Sequence, residues 1–320
     1  MRVAAVQLEP VVADVQANLE RCAALASSCA GAELVVLPEF FTTGMAFDPR
    51  LADAALPAVE GERFLLDLAR SLDAVVGGSF ICRDDDGENR NAFLLVGPDG
   101  VLGRHDKDLP TMWENAFYVG GSDDGVISWD GRSVGAAVCW EYMRSGTAAR
   151  LRGRVDLMVG GSAWWSVPSW PPRAVTRRME SVNARLAASV IPAMARAVGA
   201  PVVHAAHCGP LSCPLPWAPV RYRGHYEGAT MVCDGFGRVL AGRREADGPG
   251  VVVADVEVGR VAPSEAVPSS FWMHPRGPVA AFFWAYQRAH GRRWYARHAR
   301  SRPPSSVRTT SERSKTSPYV

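Results

Sequence analysis

Val101-Leu-Gly-Arg-His-Asp-Lys-Asp-Leu-Pro-Thr-Met-Trp-Glu114 runs from a strand-like segment into Lys107 and, beyond a short polar stretch, into Glu114. Lys107 stands out because the chain holds only two lysines, Lys107 and Lys315, against 33 arginines. A composition so biased fills ordinary surface positions with arginine. A retained lysine therefore marks a place that needs a compact ammonium on a flexible stem. Two further apolar runs end in the same manner: Leu34-Val-Val-Leu-Pro38 leads into Glu39, and Val134-Gly-Ala-Ala-Val138 leads into Cys139. A carboxylate, an ammonium and a thiol at the ends of three strand candidates are expected to share one site.

Outward from these strands the chain alternates. A strand at 2–8 precedes a helix capped by Asp14, whose apolar residues Val15, Leu19, Cys22, Ala26 and Cys29 repeat at helical spacing. Strand 33–37, a helix near 62–72 and strand 74–81 follow. Then come a hairpin of 91–97 and 101–106 turning at Pro98-Asp-Gly100, and another turning at Trp129-Asp-Gly-Arg132. Strand 155–159, a Trp- and Pro-rich loop at 160–172, a long helix at 173–198 and strand 201–206 continue the pattern. Residues 226–256 read as three antiparallel strands. Such alternation predicts an α/β layered domain with mixed sheets over residues 1–260, then an extension at 261–300 with an aromatic helix near 277–299, and a disordered tail at 301–320.

With 320 residues, 48% of them hydrophobic, the chain can bury a large core, and its net charge of +2 leaves no basic stripe on the body for nucleic acid. No apolar run is long enough to span a bilayer, and the N-terminus opens on a strand rather than a targeting segment. Seven scattered cysteines form no disulfide framework, so a soluble protein of the reducing cytoplasm is expected. His204, His207, Cys208 and Cys213 offer zinc-ligating types, but their spacing matches no standard zinc site; a structural loop is the preferred reading. No metal or organic cofactor is expected.

A thiol attacks only as a thiolate, so a nucleophilic Cys139 needs a proton acceptor and a positive charge. Glu39 supplies the first, and can later activate water. Lys107 can stabilise the negative atom that develops on addition, with the backbone N–H of Trp140 as a second donor. Glu114 can hold the ammonium and orient the substrate. Taken singly, each has a plainer role: a buried small hydrophobe, a solvated loop charge, a surface ion pair. Their combination favours thioester-forming hydrolysis of a carbon–nitrogen bond.

Val3-Ala-Ala-Val-Gln7, Leu34-Val-Val-Leu-Pro-Glu-Phe40, Lys107 to Glu114, Gly135-Ala-Ala-Val-Cys-Trp-Glu141 and Gly228-Ala-Thr-Met-Val-Cys-Asp-Gly-Phe-Gly-Arg-Val-Leu240 together resemble the carbon–nitrogen hydrolase (nitrilase) superfamily. The resemblance implies an α-β-β-α sandwich of two mixed sheets flanked by helices. It also implies Glu39 as general base, Lys107 as oxyanion stabiliser, Cys139 as nucleophile and Glu114 as supporting acid. The branch is divided. Lys-x-x-Pro-Thr-x-x-Glu and Cys-Trp-Glu are similar to true nitrilases, whereas Tyr142-Met-Arg144 and Gly160-Gly-Ser-Ala-Trp-Trp165 depart from them. A small amide or N-carbamoyl substrate is preferred. The alternatives are a nitrile, acyl transfer to an acceptor other than water, and a non-catalytic binding protein on the same fold. Trp140, Trp164 and Trp165 are the candidate substrate-binding residues, with Trp113 beside them and loops 42–60, 160–172 and 207–225 shaping the pocket. The superfamily resemblance also implies a homodimer or higher homo-oligomer.

Overall fold

A computed structural model describes residues 1–215, 218–274 and 278–300. The expected tail at 301–320 lies outside the described residues. The first half of the chain runs β1 (Arg2–Leu8), α1 (Val15–Ala26), β2 (Leu34–Val36), β3 (Leu56–Pro57), α2 (Ala58–Leu72), β4 (Val75–Arg83), β5 (Asn89–Gly97) and β6 (Gly100–Asp106). There follow β7 (Val126–Trp129), β8 (Arg132–Ala136), α3 (Ser145–Leu151), β9 (Leu157–Ser162), α4 (Arg173–Val198) and β10 (Val202–His207). The chain closes with β11 (Pro210–Leu215), β12 (Ala218–His225), β13 (Gly228–Cys233), β14 (Val239–Arg244), β15 (Gly250–Asp255) and α5 (Pro278–His298).

The strands form two layers. One has the order β6-β5-β4-β2-β1, and the other runs β10-β9-β8-β7 with β13 and β14 on the far side of β10. Among the described strands they join where β1 pairs with β10, at Gln7–Ala206 and Leu8–His207. Side-chain alternation then decides the packing. Val3 and Ala5 of β1, with Leu34 and Val36 of β2, point into the core shared with Val134, Val159 and Val203 of the second layer. Ala4, Val6, Leu8, Val35 and Leu37 point the other way, onto Cys22 and Ala26 of α1 and Leu65 and Leu68 of α2. Strands covered on both faces read as unbroken apolar runs. α4 lies on β10 and β13 and contributes Val190, Ile191 and Met194 to the central core. The arrangement is the expected sandwich of mixed sheets between helices.

Two segments differ from expectation. The third strand of 226–256 leaves its hairpin: β13 pairs with β14, while β15 pairs antiparallel with β1 from Arg2–Asp255 to Gln7–Gly250. The loop at 207–225 is a β-hairpin, β11 on β12. Pro210 and Pro214 concealed it, because proline argues against a paired strand. Both occupy exposed positions of a ribbon whose Leu211, Cys213 and Leu215 are buried.

Candidate active site

Each of three strands ends in a sharp turn through a left-handed residue that is not glycine. Phe40 (φ +52°) follows Glu39, Met112 (φ +48°) begins the 3-10 turn that carries Glu114, and Cys139 itself has φ +56°. Such conformations cost about 1–3 kcal/mol each and persist where the surroundings impose them, most often at functional sites. The turns swing their side chains to the same place. Glu39, Lys107 and Glu114 are wholly buried and Cys139 is 3% exposed. Ligating atoms of Glu39, Glu114 and Cys139 lie within 4.8 Å of one another. The four residues singled out in sequence are therefore one cluster.

Lys107 Nζ bridges the carboxylates, donating to Glu39 Oε1 at 2.8 Å and to Glu114 Oε2 at 2.7 Å. Glu39 also accepts from Asn91 Nδ2 at 2.9 Å and from the Ala163 N–H at 2.8 Å. Glu114 accepts from the Thr111 N–H at 2.7 Å and from the Tyr118 hydroxyl. These bonds fall on Oε2, which leaves Glu114 Oε1 buried and, among the described residues, without a hydrogen-bond partner. Asn91, Tyr118 and Ala163 were not legible as members of the site. The one available signal was a polar Asn91 inside an apolar strand.

Electrostatics follow from burial. Loss of water raises Glu39 to about 7, with Lys107 pulling it down and Glu114 pushing it up. Burial opposes the charge of Lys107, but Glu114 and Glu39 outweigh it and hold the ammonium above its ordinary range. Burial pushes the Cys139 thiol well up, Glu39 adds to this and Lys107 opposes it. The resting thiol is thus protonated beside a carboxylate able to take the proton near neutrality.

Backbone approach fixes the floor. A Cβ on Gly160 would lie 1.8 Å from Ala137 O, and one on Gly161 would lie 2.7 Å from Glu39 N. Only glycine lets β9 pass this close to the two strand ends. His207, fully buried and pushed down to about 4 by desolvation, is neutral, and its Nε2 contacts the Glu39 carbonyl oxygen.

The expected substrate-binding tryptophans separate into two groups. Trp140 packs against Trp164 (centroids 5.9 Å) and, unexpectedly, against Trp272 and Trp284 of the C-terminal extension. Trp165 instead packs on Trp113 with the rings tilted by 40° at 4.2 Å, and Trp113 meets Tyr222 edge-on. The extension is thus part of the site's surroundings: Trp294 of α5 also packs on Phe47 and Phe117.

His204, His207, Cys208 and Cys213 do not gather into a ligand set. Among the described residues two groups have metal-ligating geometry. One is Glu39–Glu114–Cys139, whose carboxylates Lys107 already neutralises. The other is Glu180–His225–Glu227, where His225 and Asn183 serve as partners of the carboxylates.

Residues 2–265 match the carbon-nitrogen hydrolase family. An omega-amidase, YafV, of Yersinia enterocolitica is 30% identical over 230 residues, 71% of this chain and 79% of that protein. A nitrilase of Pyrococcus abyssi is 30% identical over 163 residues, 48% of this chain and 62% of its own. Among solved structures, the NitN amidase of Nesterenkonia sp. AN1 superposes with a TM-score of 0.63 at 22% identity, over 80% of this chain and 93% of that one. The chain belongs to the carbon-nitrogen hydrolase family, as a cysteine-type hydrolase of amide or nitrile bonds rather than a binding protein that has kept the fold.

Proposed function

We propose that the protein hydrolyses a small amide or N-carbamoyl compound through a thioester on Cys139. Cys139 Sγ attacks the carbonyl carbon while Glu39 accepts the thiol proton, and the resulting oxyanion is met by the Lys107 ammonium and the Trp140 N–H. Collapse breaks the carbon–nitrogen bond, and the proton held by Glu39 leaves with the departing ammonia or amine. Glu39 then takes a proton from water, whose oxygen attacks the thioester; collapse releases the acid and returns the thiol.

One observation favours an amide over a nitrile. Among the described residues Glu114 Oε1 is a buried acceptor without a donor, in a carboxylate adjoining Cys139. An amide brings N–H groups to satisfy it, whereas a nitrile nitrogen carries no hydrogen and only accepts. Leaving such an acceptor unpaired costs about 1–3 kcal/mol. Presented with a short amide and its matching nitrile, the enzyme is expected to release ammonia faster from the amide. Intact-mass spectrometry should show an acyl adduct that is absent from Cys139→Ala. Preference for the nitrile would overturn the amide reading.

The acting form is proposed to be a homodimer or higher homo-oligomer in a reducing compartment such as the cytoplasm. Val175, Met179 and Val182 form a stripe at helical spacing on the first half of α4, exposed by 54%, 47% and 53%. A second copy would cover it. All seven cysteines are free, in keeping with reducing surroundings. No helix among the described residues is long and apolar enough to cross a membrane. Light scattering should give at least a dimer, and Val182→Glu should lower the mass; a monomeric wild type would end this reading.

A further inference from the structure

The mechanism leaves one buried charged cluster unused. Behind the nucleophile turn, Glu141 is wholly buried and its two oxygens meet three partners. Its Oε2 takes the Val138 N–H at 2.7 Å and faces His105 Nε2 at 2.9 Å, and its Oε1 takes the Asp108 N–H at 3.1 Å. Val138 immediately precedes Cys139, and Asp108 immediately follows Lys107. A single carboxylate therefore grips the chain next to the nucleophile and the chain next to the ammonium.

His105, also buried, completes the connection. Its Nδ1 lies 2.5 Å from Asp123 Oδ1, and Asp123 in turn accepts the Asp106 and Gly125 N–H groups. The ring sits between two carboxylates, so both of its nitrogens donate when it is charged. Arg144 and Arg150 approach the far side of Glu141, and Arg144 pairs with Asp108. Asp108, Asp123 and Glu141 thus face His105, Arg144 and Arg150, a balanced set behind the nucleophile turn.

We propose that Glu141 is a positioning residue for the reaction, holding the Cys139 turn and the Lys107 strand end in register, with His105, itself held by Asp123, as its counter-charge. A plain helix cap needs one acceptor on one segment. Here the same group spans two segments whose separation sets the distance from thiol to ammonium. The proposal rests on the Cys139–Lys107 chemistry given above, but it can be read without any substrate.

His105 is raised to about 10: burial works against its charge, and Glu141 and Asp123 overcome that. Above that pH the imidazolium is lost and Glu141 is left with a neutral partner. Positioning should then fail on the alkaline side.

The test uses the full chain with Glu141→Gln and, separately, Asp123→Asn. The first substitution keeps the size of the side chain but turns an NH2 toward one of the donors. Loss of reactive geometry by about an ångström costs on the order of 10²-fold. Glu141→Gln is therefore expected to lower kcat by about that factor with KM little changed, and to slow alkylation of Cys139 by iodoacetamide in parallel. Asp123→Asn, at the more exposed end of the chain of contacts, removes one counter-charge and lowers the His105 pKa. Its alkaline limb of kcat and of alkylation should move to lower pH. A folded Glu141→Gln protein with wild-type kcat and alkylation rate would overturn the proposal. If Glu141→Gln does not fold, an unshifted alkaline limb in Asp123→Asn would overturn it equally. Should the wild type hydrolyse no amide, the functional reading fails while the alkylation rates still decide the role of Glu141.

Discussion

Lys107 Nζ donates to Glu39 Oε1 at 2.8 Å, and neither side chain has any exposure to solvent. The ammonium is what allows two buried carboxylates to sit within one site. Breaking a buried pair by removing one partner costs about 3–5 kcal/mol, since the remaining charge keeps its desolvation penalty. Lys107→Met is therefore expected to lose stability of that order in urea unfolding. Without the cation Glu39 holds its proton more tightly in the folded state, so the loss should be smaller at about pH 5 than at about pH 8. Lys107→Arg should not restore activity, because a planar guanidinium does not occupy the same point between two carboxylates. Equal stability of wild type and Lys107→Met at both pH values would contradict this account.

Glu39→Gln separates proton transfer from binding. The amide side chain retains volume but takes no proton from the thiol, and general-base contributions run to about 10²–10⁴-fold. Turnover and Cys139 alkylation should both fall by an amount in that range while substrate affinity, measured by inhibitor binding, changes little. A drop confined to affinity would assign Glu39 to substrate binding instead.

How far the sequence revealed all this differs by residue. Glu39, Lys107 and Cys139 were legible because each ends an apolar strand, and the arginine bias made Lys107 conspicuous. The layered α/β domain was legible from the alternation of its helices and strands, whereas the sandwich came only from the resemblance of the motifs to the carbon–nitrogen hydrolase superfamily. Asn91 and Tyr118 were not legible, because their roles depend on which turns and strands the fold brings beside Glu39 and Glu114. Glu141 was present in the quoted motif, yet its grip on Asp108 appears only when β6 and the nucleophile turn lie side by side. Trp272 and Trp284 lay in a segment read merely as an aromatic helix and its approach. Their packing on Trp140 is tertiary information.

A pH dependence follows from Glu39. Its folded value of about 7 lies above the ordinary carboxylate value of 4.5, because burial disfavours the charge. A group raised on folding contributes stability that is full below its unfolded pKa and is lost as pH rises through the folded one. The contribution of Glu39 should accordingly fade between about pH 4.5 and 7. Thermal melts of wild type and Glu39→Gln across that window should show their stability difference shifting against the wild type as pH rises. Activity runs in the opposite sense, since the base must be ionised: kcat/KM should climb with pH toward a limb near 7. A profile already flat from pH 5 upward would show that Glu39 is not the group being titrated.

Gly161 tests whether backbone proximity, and not only side chains, builds the site. A methyl group there would stand 2.8 Å from Pro38 Cα and 2.9 Å from Ala205 O as well as 2.7 Å from Glu39 N. All three contacts are backbone atoms of neighbouring strand ends, so no side chain can swing away to make room. Overpacking of this kind costs about 1–3 kcal/mol. The displaced segment is the one that carries Glu39, so Gly161→Ala should lower both the melting temperature and kcat. Gly146→Ala makes a control, because its Cβ would meet nothing within 4 Å. If Gly161→Ala behaves like Gly146→Ala in both measurements, β9 does not pass as close to Glu39 as the geometry requires.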